Sequence, residues 1–430
     1  MTDRPRVPAV GGERDVPAPD PIARDYLLLA LRLDQRIPGL VDGYFGPAEL
    51  KARVDLEQLR SAERLVNDAN DLGERVEAQV DDPARRAWLR AQLVALEAHA
   101  RTLAGDELPY LELVSRCFDD AAPVRRDEAV FHVAAARLEE LVPGPGTLRD
   151  RLAAWDQQMT VPPDRLTAVI DWLVGVTRER ADALFGLPVG ETLRVSLVSG
   201  QPWSGYNWYD GGLRSRVDVN TDLPVRAPDL VSLVAHETYP GHHLEHAWRE
   251  TVLVEERGQL EASILLINAP ECFISEGLAE VGRQFVVPPA TELELFEELF
   301  RRAGLASLAD DPAASRATAE LAIAIRDARA GLKPAAVNAA MLLHVDAADR
   351  PTVARWLETV ALMTPERAAH QLDFLEHPTW RTYVFVYSEG AELLERWLAA
   401  APAADRPARF RRLLVEPITP SAIVRELAAT

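Results

Sequence analysis

With 430 residues and 48% hydrophobic side chains, the chain can bury a sizeable core in one large or two medium domains. Its 47 Lys+Arg against 67 Asp+Glu leave a formal charge of −20, which argues against nucleic-acid and anionic-membrane partners. Two cysteines, Cys117 and Cys272, cannot supply a disulfide framework. No apolar leader or membrane-length run is visible, so a cytoplasmic setting is expected.

Residues 1–20 are rich in Pro, Gly and charge and read as a disordered tail. From Pro21 helical spacing dominates, beginning with the stripe Ile22, Tyr26, Leu29, Leu33. Asp82-Pro83 open an amphipathic helix to about Leu103, with proline just inside its start. Further helices are predicted over 125–141, 146–158 and 163–186, punctuated by Pro and Gly at 142–146 and 187–190. The period then changes to two. Leu193, Val195 and Leu197 alternate with Arg194 and Ser196, and Leu213, Val217 and Val219 alternate with Arg214, Arg216 and Asp218. An aromatic loop, 205–212, lies between these strands. After Pro228 the chain returns to helices. The expectation is a mainly α fold, a large helical body with a small β-sheet before the active-site helix. Its regions would be an N-terminal helical one over 21–188 and a metal-binding one over 189–430.

The chemistry concentrates in His236-Glu237-Thr238-Tyr239-Pro240-Gly241-His242-His243. Zinc-peptidase helices carry H-E-x-x-H, two imidazoles one turn apart with the glutamate as base. Here Pro240 occupies the place of the second histidine. On a regular helix His236 and His243 would share a face but stand roughly 10 Å apart along the axis, too far for one zinc. The sequence does not permit a regular helix there. Pro240 lacks an N–H and its ring collides with the carbonyl of His236, while Gly241 tolerates unusual backbone angles. A break at Pro240-Gly241 would bring a downstream histidine to the metal, His242 as first choice and His243 as second.

A third ligand should be an acid on a neighbouring element, and Glu276 is the best candidate. Glu280, four residues on, shares its helix face and could orient an imidazole. Three protein ligands leave a fourth position for water. Glu237 would take that water's proton, and Tyr383 or Tyr387 would donate to the developing oxyanion. Tyr206 and Trp208 could line a substrate cleft. An edge strand over 213–220, with Val217 and Val219, could pair with an extended substrate.

The string His236-Glu237-x-x-Pro240-Gly241-His242-His243-Leu244, followed by Glu276-Gly277, resembles a bacterial family catalogued as a domain of unknown function. That family is similar to the helical gluzincin peptidases, such as thermostable metallocarboxypeptidases and oligopeptidases. The resemblance extends over about the C-terminal half. It implies a mostly helical fold with a deep cleft, a metal held by His236, His242 and Glu276, and Glu237 as base. The chain departs from the family at Glu276-Gly277-Leu278-Ala279, where an aromatic often follows the Glu-Gly pair. It departs again at Tyr387-Ser388-Glu389-Gly390-Ala391, where Pro-Gly-Gln-Ala is usual. These departures leave the oxyanion donor and the substrate open. The expected activity is zinc-dependent hydrolysis of small peptides. Alternatives are another amide or ester hydrolase, or a silent binding protein on the same fold. Oligomeric state is not legible from the sequence.

Overall fold

The computed structural model describes residues 20–201, 203–305 and 312–429. The expected tail lies outside the described residues, except for Asp20, which caps the first helix by accepting from the Ala23 amide. The fold is mainly α, with small sheets only. No helix among the described residues is long and apolar enough to cross a membrane.

Three of the predicted helices begin on a side-chain cap. Asp82 accepts from the Ala84 amide to begin Pro83–Ala104, and Gly105, with φ 96°, ends it. Asp127 caps Glu128–Leu141, and a Thr147–Asp150 capping box opens Leu148–Gln158. The next helix runs over Pro163–Phe185. Three further helices are Ala48–Leu56, Ala62–Gln79, which Ser61 caps by accepting from the Arg64 amide, and Tyr110–Cys117.

The sheet before the His236–His243 segment has three strands: β2 (Thr192–Val198), β3 (Gly205–Tyr209) and β4 (Arg214–Asn220), in the order β2-β4-β3. β4 is parallel to β2 and antiparallel to β3. The first five residues of the segment expected as an aromatic loop, 205–209, therefore form one of the two outer strands. The strand expected at the edge is central instead, with both ladders of backbone bonds already made. Val217 and Val219 are each 2% exposed and belong to the hydrophobic core, so they are not substrate-binding residues.

A second pairing joins distant parts of the chain. β1 (Val41–Tyr44) runs antiparallel to β5 (Ile264–Leu266), with Val41 opposite Leu266 and Tyr44 opposite Ile264. One core, around Tyr26, Leu89 and Leu96, unites the first helices with Ile264 and Leu266. The larger core contains Phe118, Phe273, Phe385, Trp397 and Phe410 and draws on both sides of residue 188. Helix Pro270–Val286, which carries Glu276, follows β5 directly and packs against helix Val384–Ala399. The two backbones meet glycine on glycine. A Cβ on Gly277 would stand 2.7 Å from the Gly390 carbonyl carbon, and one on Gly390 would stand 2.7 Å from the Phe273 oxygen. This close approach brings the Tyr383–Tyr387 end of the later helix against Glu276.

Candidate metal centre

The helix carrying His236 ends one residue after it. Ala227–Glu237 stops at Thr238, whose ψ of −91° is not helical, and a new helix, His242–Arg249, begins after Gly241. The Tyr239–Pro240 peptide is cis. The chain then folds back onto the helix it has just left. The Gly241 amide donates to the Ala235 oxygen and the Leu244 amide to the Thr238 oxygen, each six residues back, instead of the usual four. Gly241 is required by space, because a Cβ there would lie 1.9 Å from the His236 oxygen. The expected break is present.

Its result is convergence. His242 Nε2 stands 3.2 Å from His236 Nε2, with the two rings nearly perpendicular at 89°. Glu276 Oε2 lies 3.3 Å from His236 Nε2, and its Oε1 lies 3.6 Å from His242 Nε2. Two ligands, each about 2.1 Å from a tetrahedral zinc, are separated by roughly 3.4 Å. The three observed spacings straddle that value. Glu276 is 7% exposed, and its Oε2 is buried with no hydrogen-bond partner, which a cation would supply. The donor set and its spacing fit a zinc-class ion. His236, His242 and Glu276 would hold it.

Further side chains fix these three. Tyr383 donates to Glu276 Oε1 at 2.6 Å. This corrects the expectation of Tyr383 as an oxyanion donor, since its hydroxyl is committed to the carboxylate. Glu280 approaches the outer nitrogen of His236, 3.8 Å from Nδ1, and is paired with Lys333 at 2.8 Å. On His242, Nδ1 faces Ser275 Oγ at 3.2 Å and Glu245 Oε2 at 3.7 Å. Ser275 in turn donates to Glu245. Both rings face the centre through Nε2, with Ser275 bonded to the outer nitrogen of His242 and a carboxylate within 4 Å of each outer nitrogen. Glu245 and Ser275 were missed in the sequence reading. The i,i+3 spacing of His242 and Glu245 and the adjacency of Ser275 to Glu276 were the available signals.

His242, Glu245 and the buried His246 form a second grouping of possible ligands. It shares His242 with the first set, and Ser275 already binds Glu245 there, so it is not an independent centre.

His243 is not a ligand, which corrects the second choice. It is fully buried and points away from the centre, with Nδ1 2.8 Å from Ser215 Oγ and Nε2 2.8 Å from Glu191 Oε2. Glu191 also accepts from Tyr239 at 2.5 Å and from Arg178 at 2.8 Å. This network ties the broken segment to β4 and to helix Pro163–Phe185. Adjacent histidines on a helix diverge by about 100°, so one can serve the metal and the other the scaffold.

Electrostatics follow the packing. Burial works to raise Glu276, but the neighbouring imidazoles of His236 and His242 hold it down at about 2. Burial works to lower His242, yet Glu245 and Glu276 lift it to about 10. Glu237 is 7% exposed, and burial raises its pKa against the pull of His236 and His242. A carboxyl so raised is suited to proton exchange near neutral pH.

The Glu237 backbone oxygen accepts from Asn207 Nδ2 on β3 at 2.7 Å. β3 thus lies directly across the helix carrying Glu237. A Cβ on Gly205 would touch Leu233 Cδ1 at 2.6 Å and Glu237 Cγ at 3.4 Å. Tyr206 and Trp208 are partly exposed on this strand and pack with their rings tilted by 40°, 4.4 Å between centroids. Tyr387 is 41% exposed and packs edge-on against Tyr383 at 5.4 Å. The charges of Glu276 and Glu237 both help hold its hydroxyl protonated, burial being the larger cause.

No family model matches the chain, and no curated protein matches it. Among solved structures the chain is similar to a candidate lipoprotein from Colwellia psychrerythraea, at 16% identity and a TM-score of 0.49, over 86% of this chain and 67% of that one.

Proposed function

We propose that the protein is a zinc-dependent hydrolase that cleaves small peptides. The observation that carries this reading is the convergence of His236 Nε2, His242 Nε2 and a partnerless Glu276 oxygen at ligand spacing, beside a buried Glu237. A bound zinc would supply Lewis acidity for a water and a scissile carbonyl. Glu237 takes the proton of the attacking water and later passes it to the leaving amine. Tyr387, the one of the two tyrosines whose hydroxyl is not given to Glu276, donates to the oxyanion. The outer strand β3 offers its backbone edge to an extended substrate, the role expected of 213–220.

The test is metal content followed by cleavage of a mixed peptide library with and without chelator. One zinc per chain and chelator-sensitive cleavage, abolished in Glu237→Gln, are expected. Zinc binding with cleavage of amides or esters but not peptides would move the assignment to another hydrolase. Zinc binding without turnover would make the protein a silent binding module. Full activity in Glu237→Gln would remove the base.

A further inference from the structure

We propose that the open face of the three-stranded sheet, where Arg216 is seated over Trp208, binds a carboxylate side chain of the substrate, so that the preferred peptides are acidic. This inference rests on the hydrolase reading above and names its substrate class. Residues paired in register point to the same side of a sheet. Arg194 on β2 is opposite Arg216 on β4, and Arg216 is opposite Trp208 on β3. Arg214, two residues before Arg216, shares that side. The other side, with Val217 and Val219, belongs to the core. This side is open, for Arg194 and Arg214 are exposed and Arg216 and Trp208 partly exposed. On a chain of net charge −20, three guanidiniums thus gather on neighbouring positions, although like charges set opposite each other repel.

The acids of the sheet do not satisfy these three. Asp218 accepts from Trp208 Nε1 at 2.9 Å and from Arg216 Nε at 3.2 Å. Asp210 meets Arg214 by a backbone bond, its amide 2.9 Å from the Arg214 oxygen, and not by an ion pair. Among the described residues, no acceptor is bonded to the two terminal nitrogens of Arg216, and Arg194 and Arg214 have no ion pair. The Arg216 guanidinium lies 5.2 Å over the Trp208 ring, so it leans from the central strand towards the outer edge of β3. An extended peptide on that edge, about 4.8 Å from β3, would turn every second side chain to this face, beside Trp208. The reacting groups are close by, since a Cβ on Gly205 would stand 3.4 Å from Glu237 Cγ and Asn207 donates to the Glu237 oxygen. A guanidinium held by its Nε and a flanking ring presents its terminal nitrogens as a fork, which takes a carboxylate through paired hydrogen bonds. A nucleic acid would be repelled by the rest of the acidic surface, whereas a short peptide with one carboxylate carries little charge to repel.

The experiment uses a short peptide without aromatic residues, acetylated and amidated at its ends, through which a single glutamate is moved position by position. Peptides with glutamine or lysine at the same positions are the controls, together with one that keeps a free terminal carboxylate. Binding to the full chain is followed by tryptophan fluorescence, separately from cleavage by the zinc-loaded protein. Glutamate should bind roughly 10-fold more tightly than glutamine, at alternate positions only, and lysine more weakly than either. The preference should shrink as salt is raised. Arg216→Gln should abolish it while leaving the glutamine peptides bound as before. Arg216→Lys, which keeps the charge but loses the paired donors, and Arg194→Gln should each retain part of it. Equal binding of glutamate and glutamine, a preference without the two-residue period, or one that persists in Arg216→Gln would overturn the proposal. So would a preference for the terminal carboxylate alone, tighter binding of a single-stranded oligonucleotide than of any acidic peptide, or no binding at all. Cleavage without acid preference would sink this inference alone. Acid-selective binding without cleavage would sink only the hydrolase reading.

Discussion

Replacing Gly241 by alanine tests whether the backbone break creates the centre. The φ of Gly241 is −77°, on the side that any residue adopts, so the cost arises from contact. The new methyl would meet the His236 oxygen at 1.9 Å, the Ala235 oxygen at 2.6 Å and the His236 carbonyl carbon at 2.6 Å. All three atoms are backbone of the helix that carries His236, so no side chain can swing aside. Overpacking commonly costs about 1–3 kcal/mol, and a backbone-on-backbone clash belongs at or above the top of that range. The chain can escape only by moving His242 away from His236. Zinc affinity, measured by competition with a chromophoric chelator, should then fall by roughly 100-fold or more, comparing with the 10–100-fold typical of lost ligand support. Gly175→Ala is the control, since a Cβ there meets nothing within 4 Å. Wild-type zinc affinity and wild-type melting in Gly241→Ala would refute the reasoning.

Four further outcomes are expected. Tyr383→Phe should weaken zinc binding about 10–100-fold by freeing Glu276, whereas Tyr387→Phe should spare zinc and lower kcat by roughly 100-fold or more, as titration and steady-state kinetics would show. His243→Ala should cost on the order of 3 kcal/mol in denaturant unfolding, because it strips a buried carboxylate of a partner, while one zinc per chain is retained. Glu191 falls from an ordinary 4.5 to about 2, its hydrogen bonds from His243, Tyr239 and Arg178 outweighing the opposing effect of burial. A depressed carboxyl stabilises the fold fully above about pH 4.5 and loses that effect as pH falls towards 2. Glu191→Gln should therefore flatten acid unfolding in this window by an amount on the order of 3 kcal/mol. Gly390→Ala should drive Glu276 from Tyr383, lowering both melting temperature and zinc affinity, since its methyl would meet the Phe273 backbone oxygen at 2.7 Å.

The main helices were legible because their signals are local: apolar periodicity, Pro-Gly punctuation and, at Asp82-Pro83, a cap and first-turn proline that act within one turn of chain. The break at Pro240-Gly241 was legible for the same reason, as proline and glycine impose it whatever the surroundings. Glu276 could be picked as an acid in an apolar helix, but its partner Tyr383 depends on a glycine-to-glycine contact 113 residues apart, between Gly277 and Gly390, which leaves no periodic trace. Strand order failed similarly. Alternation revealed that 213–220 is a strand, yet its central place depends on β3, whose Gly-Tyr-Asn-Trp-Tyr sequence runs into the turn residues Asp210-Gly211-Gly212 and opens on Gly205, where a Cβ would meet Leu233 Cδ1 at 2.6 Å. The opposite roles of His242 and His243 depend on which side Glu191 and Ser275 arrive from, and both are remote in sequence.

The most direct measurement is anomalous diffraction on either side of the zinc absorption edge, from crystals of the full chain grown with one equivalent of zinc. The account predicts one strong peak about 2.0–2.2 Å from His236 Nε2, His242 Nε2 and a Glu276 oxygen. A peak held by His243, or a map with no ordered zinc between His236 and Glu276, would contradict it.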